Sequence, residues 1–133
     1  MVININGKDY RMFFGFDFID YINQKDGLSA QGLQLGLMGT RLLTVGLDGK
    51  QPSALRTIVK AGTVTLPQQP SNQDIELWIN ELIEDGNKYD EIFEEIIEEL
   101  GKHLIVLREM GITKKEWDEA RAKDKMIQEL EKE

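Results

Sequence analysis

A chain of 133 residues, 41% hydrophobic and 30% charged, suits one compact domain, and its lack of cysteine excludes disulfides, thiolate catalysis and cysteine-ligated zinc. The net charge of −8 is concentrated: seven basic residues meet five acidic ones up to Asn72, three meet twelve from Gln73 to Met110, and six meet seven beyond. No basic cluster is free of interleaved carboxylates and no stretch reaches the roughly 18 apolar residues of a membrane span, so neither nucleic acid nor membrane is expected as a partner.

The opening residues carry no basic region followed by a long apolar run, so no secretory signal is expected and the cysteine-free chain suits a reducing cytoplasm. Val2, Ile3 and Ile5 form a β-branched run, Asn6-Gly7 is a two-residue turn signal, and Tyr10, Met12 and Phe14 alternate with Arg11, Phe13 and Gly15 on the return. This predicts a β-hairpin, which needs a helix against its apolar face; residues 17–23, with Phe18, Ile19 and Ile22 on one side, supply the nearest one. Lys25-Asp26-Gly27 breaks the pattern. Residues 29–47 are rich in leucine and glycine together, with Ser29 as a cap and Gly32 and Gly36 at a spacing that permits close packing.

Gly49-Lys50 invites a phosphate-loop reading, but Thr44 stands where the first glycine belongs and Gln51 where the hydroxyl belongs. The residues read instead as a turn, Asp48-Gly49, before a helix over 52–61 opened by Pro52, with Leu55, Ile58 and Val59 as its apolar face. Residues 62–70 connect, with Val64 and Leu66 extended and Pro67 and Pro70 opposing a helix. Ser71 and Asp74 then form a capping-box pattern ahead of Ile75, Trp78, Ile79, Leu82 and Ile83 at helical spacing, which places Trp78 in the core.

Asp85-Gly86-Asn87 closes that helix, and residues 89–110 read as one continuous acidic helix. Its stripe is Tyr89, Ile92, Phe93, Ile96, Ile97, Leu100, Leu104 and Leu107, and glutamates crowd its other faces. Eight apolar residues in line are too many to leave in water, so the stripe belongs to the core or to a self-association interface. Gly111 is placed as a left-handed terminator with Ile112 completing the contact, and Thr113 with Glu116 opens a final helix over 114–131. There the apolar residues Trp117, Ala120, Met126, Ile127 and Leu130 are sparse. Exposed, Trp117, Met126 and Leu130 make a candidate partner-binding strip; the competing expectation is that this helix folds back onto the core.

Catalytic chemistry finds little footing. Glu94 with Glu98 and Glu95 with Glu99 share helical faces and could in principle hold a cation, but a solvated charge run explains them more simply. His103 follows Glu99 by four residues, whereas the di-iron bundle pattern needs Glu-x-x-His twice. No serine sits in a Gly-x-Ser-x-Gly elbow. The expectation is a non-enzyme with no catalytic residues, cofactor or metal.

The pieces Ile3-Asn4-Ile5-Asn6-Gly7-Lys8-Asp9-Tyr10 through Phe14-Gly15-Phe16, Pro52-Ser53-Ala54-Leu55 through Ala61, Ile75-Glu76-Leu77-Trp78-Ile79, and Asp90-Glu91-Ile92-Phe93 through Leu100 occur in an order that resembles the tail assembly chaperones of long-tailed (siphovirus-type) bacteriophages. The likeness spans residues 2–107. It implies a factor of the host cytoplasm that binds the phage tape measure protein, keeps it soluble, recruits the major tail protein and is absent from the mature virion. It also implies that a longer form arises by ribosomal frameshifting.

The expected fold is α+β and mainly α: an N-terminal β-hairpin packed on a bundle of about five helices, forming a domain over 1–112, with a charged helical tail over 113–133 attached more loosely. A different class of function also fits the charge, a small acidic regulator or inhibitor that mimics nucleic acid in a basic cleft. Such a mimic would lose its partner steeply with salt.

Overall fold

Strands β1 (Val2–Ile5) and β2 (Lys8–Arg11) pair antiparallel, with Ile3 opposite Tyr10 and Ile5 opposite Lys8. The two turn residues both take positive φ, 52° at Asn6 and 80° at Gly7, the conformation whose twist matches the strands it joins. The Asn4 amide donates to the Asp9 carboxylate across the pair at 2.9 Å. Alternation decides the faces as expected: Ile3, Ile5, Tyr10, Met12 and Phe14 are buried, while Val2 and Phe13 point out. The structure is a computed structural model that describes residues 1–25 and 46–131. The predicted leucine-rich and glycine-rich helix, with Gly32 and Gly36, lies outside the described residues apart from its end at Gly46 and Leu47, and Leu47 is buried.

Helix α1 (Phe16–Lys25) buries Phe18, Ile19 and Ile22 in the core, chiefly against the helices over Pro52–Gly62 and Leu104–Glu109, with the Phe14 and Phe18 rings edge to face at 5.1 Å. Helix α2 (Pro52–Gly62) starts on its proline and buries Leu55, Ile58 and Val59 completely. Its end corrects the extended segment expected around Val64 and Leu66. Thr63 donates its hydroxyl back to the Val59 carbonyl at 2.7 Å and the Leu66 amide bonds the Thr63 carbonyl, so the chain turns tightly instead of extending. Helix α3 (Asn72–Glu84) is capped as expected, with the Asp74 amide donating to the Ser71 hydroxyl at 3.0 Å. The Asp74 carboxylate accepts from the Asn6 side chain instead of reaching back to Ser71, which ties α3 to the hairpin turn. Trp78 is in the core.

The continuous helix expected over 89–110 is two helices, α4 (Asn87–Leu100) and α5 (Leu104–Glu109). The last turn of α4 tightens, with the amides of Lys102 and His103 bonding the carbonyls three residues back, and His103 caps α5 in an extended conformation. The break resets the helical phase. Leu104, assigned to the buried stripe, is 63% exposed, while Val106, Leu107 and Met110 turn inward. Phe93, Ile96, Leu100 and Leu107 do belong to the core, and Tyr89, Ile92 and Ile97 pack against it.

Gly111 ends α5 with φ 81°; its own amide bonds the Arg108 carbonyl and the Ile112 amide bonds that of Leu107, the paired closure read from the sequence. Helix α6 (Lys114–Glu131) follows. The mainly helical α+β architecture with an N-terminal hairpin is therefore the observed one. The core runs from the inner face of the hairpin through α1, α2, α3, α4 and α5. Among the described residues no helix is long and apolar enough to cross a membrane.

Candidate partner-binding surface

Helix α6 carries the three residues picked out from the sequence, and the structure separates them. The Thr113 hydroxyl accepts the Glu116 amide at 3.1 Å and donates to the Glu116 carboxylate at 3.0 Å, so the capping box closes through one hydroxyl. One turn later Trp117 is only 8% exposed and joins the core. Of the two expectations for this helix, folding back onto the core holds at Trp117, for a packing reason: a Cβ on Gly101 would lie 2.5 Å from the Trp117 Nε1, so the missing side chain at the α4 terminus is what admits the indole. Met126 and Leu130 are 64% and 67% exposed, and Ile127 beside them is exposed as well. The first half of α6 folds back onto the core, and its second half presents apolar side chains to water.

The Trp117 indole N–H is buried without an acceptor among the described residues. An unpaired buried donor costs about 1–3 kcal/mol. What else fastens α6 is ionic. Arg121 reaches Glu94 at 3.0 Å and Glu98 at 3.9 Å, and Lys125 reaches Glu98 at 3.9 Å. The Lys125 pair is fully at the surface and worth roughly 0.2–1 kcal/mol, while the Arg121 side chain is mostly covered and its carboxylate partners remain open to solvent. Between α6, α4 and the turn before α2 remains a groove of about 300 Å³, with Leu47, Ile97, Trp117 and Ile127 as its apolar lining.

Three of the four carboxylates weighed for cation chemistry, Glu94, Glu98 and Glu99, have side-chain partners in their own chain. Glu94 and Glu98 take Arg121, while Glu99 lies 3.3 Å from His103, 3.4 Å from Lys102 and 3.8 Å from the α-amino group of Met1. Burial pushes the Glu99 carboxyl up. The hydrogen bonds from His103 and Lys102, with the charges of the amino terminus and Lys102, outweigh that and hold it below the ordinary 4.5. Among the described residues no group of three or more His, Cys, Asp or Glu is arranged to hold a metal ion.

Two further surfaces lie elsewhere. Phe13 and Phe16, the latter 70% exposed, flank a cavity of about 330 Å³ walled by Ala61, Gly62 and Val64, and the Arg11 guanidinium stands 5.4 Å from the Phe13 ring. Sequence reasoning did not name this patch, although Phe13 falls on the outward phase of the strand alternation and was legible there. A groove of about 740 Å³ runs between α2 and α3, with Arg56 and Lys60 on one wall and Ile75, Ile79 and Ile83 on the other.

The surfaces thus combine exposed apolar side chains with charged groups of both signs, which suits contact with another protein. No curated protein and no solved structure matches the chain. A family model described as phage tail assembly chaperone protein, TAC, matches residues 2–111, which takes in every described element except α6, and the chain belongs to the phage tail assembly chaperone family.

Proposed function

We propose that this chain is a non-catalytic assembly factor that binds the phage tape measure protein, keeps it soluble before the tail polymerises and recruits the major tail protein. It acts in the host cytoplasm and is absent from the finished virion. The family match over residues 2–111 is the observation that carries this reading.

The physical support is the pairing of apolar patches with a strongly acidic exterior. A tape measure helix awaiting assembly exposes apolar ridges, and an amphipathic partner helix covers such ridges side by side. The net charge of −8 keeps the resulting complex apart from its copies. In this proposal Met126 and Leu130 make the contact and Trp117 is the buried anchor that positions them. Neither ATP nor a cofactor is needed, since covering apolar surface is favourable by itself.

Co-expression with the tape measure protein tests the reading. The expected result is a soluble complex, and a tape measure protein that stays in the insoluble fraction overturns it. Within that experiment the double variant Met126→Glu with Leu130→Glu is expected to abolish solubilisation while leaving the melting temperature nearly unchanged. Should Phe13→Ser with Phe16→Ser abolish it instead, the contact belongs to the hairpin side and the assignment to α6 fails.

A further inference from the structure

We infer that α6 is a displaceable arm, which swings about Gly111 and Ile112 between a docked position on α4 and an undocked one that uncovers Trp117 and Ile97. Its fastening is of two kinds. One is a clasp of two cations, Arg121 and Lys125, on the exposed carboxylates Glu94 and Glu98. The other is a single buried side chain, Trp117, seated against Gly101.

Each fastening is poised to let go. The clasp is partly solvated, so salt weakens it. The docked indole N–H has no acceptor among the described residues, and water gives it one when the arm opens. Among the described residues, a groove of about 300 Å³ separates α6 beyond Trp117 from Leu47 and Ile97, so few apolar contacts between them resist opening. The joint is also well defined. The paired backbone closure at Gly111 and Ile112 ends α5 before α6 begins, so α6 moves without unwinding α5. Opening uncovers Trp117 on α6, the helix that already presents Met126, Ile127 and Leu130 to water, and uncovers Ile97 on α4.

The test uses the whole chain without any partner, so its failure leaves the tape measure reading standing. In a Trp78→Phe background the fluorescence of Trp117 alone is read. Arg121→Glu, which turns the clasp repulsive, is expected to move the emission toward that of water-exposed indole, raise its acrylamide quenching severalfold and open residues 112–131 to protease. Adding Glu94→Arg to Arg121→Glu restores the pairing and is expected to return the emission to its starting position. Unchanged emission in folded Arg121→Glu protein overturns the proposal. If that variant fails to fold, a salt titration of the Trp78→Phe chain decides. At about 1 M, where screening acts within about 3 Å, a shift that precedes the main thermal transition supports the arm and a constant emission overturns it.

Discussion

At the scale of single residues, the local signals proved dependable where the partner of a side chain lay within a few positions. The Ser71 hydroxyl caps α3 because the orphan Asp74 amide is three residues away whatever the rest of the chain does. Ser71→Ala is expected to cost ~1 kcal/mol, seen as a lower denaturant midpoint at unchanged slope. Glu99 shows a subtler case. Its folded value is depressed, so the stability its ionised form contributes is complete above the ordinary 4.5 and is lost as pH falls through the lower folded value. The melting temperature of Glu99→Gln should therefore trail that of the unaltered chain at neutral pH, and the gap should close in strong acid. Trp117 marks the limit of such reading. Its sparse helix left exposure and folding back equally open, and only Gly101, sixteen positions earlier, explains why the indole is buried.

Among the elements, hairpin, caps and most helix bounds were legible because period and punctuation are local properties. The stripe over 89–110 was not read as two helices, since Leu100, Leu104 and Leu107 keep helical spacing across the break. The break itself falls at His103, whose extended backbone separates the two helices, and Gly101 just before it leaves the space that Trp117 of α6 occupies. Gly101→Ala tests this directly. The backbone there is right-handed helical, with φ −63° and ψ −15°, so alanine suits the local conformation and any loss is steric. The expected cost is about 1–3 kcal/mol with a shifted Trp117 emission, whereas a more stable protein would show that helix propensity wins over packing. The connection after α2 teaches the same lesson on a smaller scale. Val64 and Leu66 have the residue types of a strand but no strand to pair with among the described residues, and the Thr63 hydroxyl closes the chain into a turn.

For the whole molecule, the order of the motifs and the chain length resemble a tail assembly chaperone, and the family match agrees. The function proposed from it predicts that this chain raises the soluble yield of a tape measure protein stoichiometrically and without ATP, measurable by titrating purified protein into a refolding reaction. A substoichiometric or ATP-dependent effect would contradict coverage of apolar surface as the mechanism. The sequence by itself determined the class, the hairpin, the caps and the anionic exterior, because each depends on composition or on residues a few positions apart. Only the tertiary structure decided which apolar residues reach water, where the acidic helix breaks and how α6 is fastened. Those outcomes depend on which side chain fills the space beside Gly101 and which carboxylates meet Arg121, and contacts between distant positions are invisible to any local period.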